Sequence, residues 1–109
     1  MDYTERLRRL ALNDTRLAED LTGPSGSDAA ELDAKTLALA RLAALVAAGG
    51  AVPSYLAQTD AAVNAGASAA EIVAVLVSVV PIVGLPCVVA AAPRLAIALG
   101  FDTDDAFER

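Results

Sequence analysis

A chain of 109 residues, 56% of them apolar but only 4% aromatic, fits one small domain whose core is made of Ala, Val and Leu. A net charge of −6 disfavours nucleic acid as a partner, because phosphate binding needs clustered cations. With one cysteine, Cys87, and no histidine, the chain has no intramolecular disulfide and lacks the commonest base and metal ligand; no metal and no cofactor is expected.

Residues 1–31 read as an N-terminal helical arm and loop. Leu7, Leu10, Leu17 and Leu21 recur at helical spacing over residues 3–21, with Arg6, Arg8, Arg9 and Arg16 elsewhere on the wheel. Asn13 and Asp14 interrupt the pattern and can cap a second short helix. The N-terminus is charged throughout and has no apolar run of the secretory kind, so a cytoplasmic protein is the expectation. Gly23 to Asp28 is a loop by composition, and Asp28 with Glu31 fits a single capped turn.

Residues 32–101 carry the main helical domain. Asp33 is a good N-cap for a helix from Ala34 to about Ala48, closed by Gly49 and Gly50. Its leucines and Val46 cover more than half of the circumference, which predicts a largely buried helix. Pro53 suits the first turn of a helix running to about Ala65, with Gly66 just beyond. Ser68 with Glu71 forms a capping-box pattern and predicts a helix from Ala69 to about Val83, although Val75 to Val80 alone would pass for a strand. Gly84-Leu85-Pro86 restarts the chain into a last helix to about Leu99, in which Pro93 predicts a kink or break. Residues 102–109 form an acidic tail.

No charged residue occurs between Glu71 and Arg94, which raises the question of a membrane segment. Pro81, Gly84 and Pro86 divide the run into two arms. Each arm has about 14 residues and is about 21 Å long, too short for a hydrocarbon core of ~30 Å. A helical hairpin buried within and between subunits is the better reading, with no membrane partner.

The order of these elements resembles a known family. Leu32-Asp33-Ala34-Lys35-Thr36 leads into the Ala/Leu helix, and the next helix ends in Asn64-Ala65-Gly66-Ala67-Ser68. Glu71-Ile72 and the turn Gly84-Leu85-Pro86 follow. Together, over about residues 32–99, they look like the carboxymuconolactone decarboxylase family, which includes the alkylhydroperoxidase D-like proteins. The resemblance implies an all-α fold, a compact helical bundle of about five to six helices with a buried hairpin at 69–99. It also implies a homo-oligomer, a trimer or hexamer assembled through the apolar helices.

The family's functional residues do not carry over. The two thiols of the peroxidase branch fall at Ala51 and Ser54, and the histidine of that helix falls at Gln58. The acidic position of the preceding helix falls at Ala38 or Leu39, its arginine at Leu37, and the tyrosine before the glycine turn at Ile82. Two-thiol chemistry needs a pair of cysteines in reach of each other, and Gln58 cannot move a proton near neutrality.

The candidate site residues are therefore few. Ser54, Tyr55 and Gln58 lie on or beside the face where the family keeps its chemistry and can give an apolar ligand pocket its polar handles. Cys87 follows Pro86 at a helix start, where the macrodipole can lower a thiol pKa; without a base in the chain, inert packing is the favoured reading. The leading functional reading is binding or transformation of a small, largely apolar organic molecule without thiol-peroxidase chemistry. If the protein is an enzyme, the resemblance points to lyase or isomerase chemistry. The rival is a non-catalytic scaffold or partner-binding protein that keeps only the fold, and a weaker alternative is an enzyme that uses Cys87.

Overall fold

Local signals set where each helix begins. The computed structural model describes residues 2–16 and 31–101, and among these it contains helices and no strand. The chain divides between Glu31 and Leu32 into two units. In the first, α1 spans Tyr3–Ala11, and the Asp2 carboxylate caps it by accepting from the Glu5 N–H at 2.8 Å. Asn13 adopts a left-handed φ of 56°, which suits Asn better than most side chains, and so ends the helix region. Asp14 then accepts from Arg9 Nε at 2.9 Å, and this hydrogen bond holds its carboxyl below the usual aspartate range. The predicted loop from Gly23 to Asp28, the second short helix beyond Arg16 and the acidic tail lie outside the described residues.

The second unit holds α2 (Ala34–Ala48), α3 (Val52–Asn64), α4 (Ala69–Val83) and α5 (Leu85–Ala98). Asp33 caps α2 by accepting from the Thr36 N–H at 2.7 Å. At α4, Ser68 Oγ accepts from the Glu71 N–H at 3.0 Å while the Glu71 carboxylate accepts from the Ser68 N–H at 2.9 Å, the full reciprocal box. This box overrides the β-branched run from Val75 to Val80. Gly84 joins α4 to α5 at φ 89° and ψ 150°, a conformation open to glycine almost alone.

The helices pack around α2, which meets all three others; α3 and α4 each pack against α5. The core joins Leu42 and Val46 of α2, Tyr55 and Ala62 of α3, Ile72 and Leu76 of α4, and Val88 and Leu95 of α5. A salt bridge from Lys35 Nζ to Glu71 Oε2 at 2.6 Å ties the start of α2 to the start of α4.

Two expectations need correction. Among the described residues of the single chain, α2 fully buries one stripe, Ala38, Leu42 and Val46, with Leu39 and Leu45 partly buried against the core, rather than most of its surface. Pro93 does not break α5, which continues to Ala98. Pro93 and Val89 both face outward, so the carbonyl that loses its helical partner lies on the solvent side and can be hydrated. The hairpin of α4 and α5 is covered on its inner face, while Val77, Ile82, Leu85 and Val89 are exposed.

Candidate functional site: a cleft at the end of α2

A chemically furnished cleft lies where the end of α2 and the start of α3 meet α5. It has a volume of 180 Å³ and combines the apolar groups of Val46, Ala47 and Ala91 with Tyr55, Cys87 and Arg94. The sequence builds it through the glycine pair between α2 and α3. A Cβ on Gly50 would stand 2.8 Å from Leu45 Cδ2 and 3.4 Å from Tyr55 Cε2, so the bare backbone lets the Tyr55 ring close over the turn. Pro53 then fixes the first turn of α3, which sets the direction of Tyr55.

Arg94 reaches the same turn from α5. Its Nη1 donates to the Gly50 carbonyl at 3.1 Å, a link between residues 44 apart in sequence. That bond uses one of the five guanidinium N–H donors and holds the group at the rim of the cleft. Cys87 stands seven residues before Arg94, two helical turns back on the same face, with its thiol exposed.

Tyr55 is the unusual member. It is 1% exposed, and its hydroxyl has no hydrogen-bond partner. Burial pushes the phenol pKa up, while the nearby Arg94 charge pulls it down to a lesser extent. The phenol is therefore neutral near pH 7 and able to donate. Thr59, one turn further along α3, is also buried with an unpartnered hydroxyl. Buried hydroxyls are normally bonded, so both call for an explanation.

Chemically, the cleft offers the Arg94 guanidinium at its rim, apolar walls and one thiol, while the Tyr55 hydroxyl is closed off from solvent. It has no carboxylate or imidazole in its lining, so no acid–base pair for proton transfer. Among the described residues no group of His, Cys, Asp and Glu could hold a metal ion.

The structure brings Tyr55 and Cys87 together and leaves the other sequence candidates apart. Ser54 is exposed and Gln58 half-buried, and neither lines this cleft. Ala51, the other position of the family's thiol pair, is exposed, and Ile82 is 85% exposed. Arg94 was not singled out as a site residue. Its sequence signal was its position, the first charge after Glu71 and seven residues from Cys87.

Two further clefts lack such polar groups at depth. One of 450 Å³ between α4 and α5 is walled by Val73, Leu76, Leu95, Leu99 and Phe101. The other, an open groove of 500 Å³ along α2 and α4, has Thr36, Glu71 and Ser78 at its edge. None of the helices, among the described residues, is long and apolar enough to cross a membrane.

Compared with curated proteins and with solved structures, the chain shows no significant match. The family model for the carboxymuconolactone decarboxylase family matches residues 15–96, which is most of the chain and includes the four helices of the bundle up to Ala96. On that match, with which the all-helical bundle is consistent, the chain belongs to the carboxymuconolactone decarboxylase family.

Proposed function

We propose that this protein binds a small, largely apolar organic molecule in the cleft beside Tyr55, and that it does so without thiol-peroxidase chemistry. The observation that supports this reading is the cleft itself, 180 Å³ lined mostly by Val and Ala, with Tyr55, whose hydroxyl is buried and unpartnered, among its lining residues. A hydroxyl left without a partner costs about 1–3 kcal/mol, and a ligand acceptor that displaces the packing over it would recover that cost on binding. The lack of a second cysteine supports the negative half, since a disulfide cycle within one chain needs two thiols.

The test is a fragment screen followed by thermal unfolding. Ligands of this cleft raise the Tm of the wild type, and their effect is reduced in Tyr55→Phe. A set of hits that stabilises both proteins equally would place binding elsewhere and overturn the assignment. Peroxide turnover with a dithiol reductant is expected to be absent; turnover of the two-thiol kind would contradict the reading directly.

A scaffold role is the second reading, and one feature favours it. Val77 is 68% exposed and Val89 61%, each on an outward stripe of a hairpin arm without charge. Such stripes suit contact with another copy of the chain, in keeping with the trimer or hexamer that the family resemblance implies. The two readings are compatible, because neither Val77 nor Val89 lines the cleft beside Tyr55.

A further inference from the structure

The hairpin of α4 and α5 carries its bulk at one end and its hollow at the other. We infer that it pairs with the hairpin of a second copy of this chain about a two-fold axis, so that Leu85 and Val89 of each copy fill the 450 Å³ cleft of the other. This deepens the scaffold reading and rests on it.

Along α5, Leu85, Val89, Ala92, Ala96 and Leu99 recur at spacings of four and three and so share one face. At the hairpin tip the stripe is bulky and bare: Leu85 is 59% exposed and Val89 is exposed as well. At the far end Ala92, Ala96 and Leu99 line the cleft, whose opposite wall is Val73 and Leu76 of α4. Every residue of that lining is apolar, and the chain has no charge between Glu71 and Arg94. Ser78, the one hydroxyl of that run, donates to the Ala74 carbonyl at 2.7 Å and lines the groove with α2 instead. No side chain on this face needs water, so an apolar partner is the occupant that fits it.

A second copy supplies that partner in one orientation. With the axis lying in the interface and across the helices, α5 runs antiparallel to α5 of the other copy. Leu85 then lies over Leu99 and Val89 over Ala96, because each pair is spaced almost evenly about Ala92. Large, exposed side chains meet small or recessed ones at both ends of the contact, as close packing requires. Pairing tip to tip would instead set bulk against bulk and leave both clefts unfilled. The hairpin presents roughly 20 Å by 20 Å, about 400 Å² per copy before side-chain relief is counted. Two such faces approach the about 1,000 Å² at which specific interfaces begin.

Disulfide trapping tests this register. Positions 85 and 99 stand about 21 Å apart along α5, so Leu85→Cys and Leu99→Cys, introduced together with Cys87→Ser, cannot join within one chain. On oxidation the variant carrying both is expected to run as a covalent species of two chains on a denaturing gel, and neither single variant is. Leu85→Cys with Phe101→Cys repeats the test at an exposed position should Leu99→Cys fail to fold. Adding Val89→Lys should remove most of the two-chain band; a band that persists reports chance collision and overturns the pairing. A ladder beyond two chains would mean head-to-tail contact and overturns the two-fold pairing, as does a covalent dimer from Leu85→Cys alone. A wild type that sediments as several chains, with the paired cysteines left unjoined, overturns this pairing and leaves the scaffold reading standing. A wild type that sediments as one chain overturns both.

Discussion

Removing the Tyr55 hydroxyl takes away a buried polar atom that no protein group satisfies, while the ring that fills the core stays in place. Tyr55→Phe is therefore expected to leave stability unchanged or raise it by about 1 kcal/mol, measured by urea unfolding. Tyr55→Ala removes the ring as well and should cost about 3–5 kcal/mol, the usual range for deleting a buried aromatic. A loss on Tyr55→Phe as large as that would mean that the hydroxyl has a partner in the folded protein. The raised phenol pKa adds an alkaline signature. Above the ordinary tyrosine value the unfolded chain ionises first, so stability falls as pH rises through that range; Tyr55→Phe should flatten part of the fall. The sequence made Tyr55 and Cys87 visible as separate candidates, because residue type and helix position are local properties. It did not reveal that they share a cleft with Arg94. That depends on how α5 crosses the glycine turn, and only the Arg94–Gly50 bond makes the crossing explicit.

Most helix boundaries follow from chemistry within four residues of each end, which is why the elements were more legible than the site. Asp33, the Ser68–Glu71 box and Gly84 each act through their own backbone neighbours, and each starts or stops a helix where its residue type predicts. What the sequence concealed is how far a helix is covered and how it tolerates proline. The extent of burial on α2 and the continuity of α5 through Pro93 both depend on which face meets another helix. The α4 cap can be tested in two ways. Ser68→Ala should cost about 1 kcal/mol in denaturant unfolding, whereas a neutral result would show that the box adds nothing beyond hydrated ends. Glu71 also bonds Lys35, and this bond, with the Ser68 N–H, lowers its pKa. A lowered carboxylate contributes stability above its unfolded pKa and loses it as pH falls through the folded value. The Tm of the wild type should therefore drop as pH falls below the ordinary glutamate value of 4.5, and Glu71→Gln should show a shallower drop. At the hairpin, Gly84→Ala places a Cβ at φ 89° and should destabilise by about 1–3 kcal/mol.

Across the whole helical unit, more large apolar side chains are exposed than buried among the described residues, and much of the core is alanine. Alanine fills space between close helices but buries little area, so the unit gains less from its own core than a Leu- or Phe-rich bundle of its size would. The exposed apolar groups are also arranged rather than scattered. Val73 and Val77 lie one turn apart on the outer side of α4, and Val89 and Ile97 two turns apart on that of α5. On a monomer, Val77→Lys and Val89→Lys are surface substitutions expected to change stability by no more than about 0.5 kcal/mol. In a homo-oligomer that covers these stripes, each would bury a lysine against apolar neighbours and disfavour assembly. Sedimentation velocity of the wild type should thus give a mass of several chains, with both variants shifted toward one chain. The wild-type Tm should rise with protein concentration, and that dependence should be weaker in the variants as assembly is lost. A wild type that sediments as a single chain, with variants of the same mass and Tm, would show that these stripes are not an interface between copies.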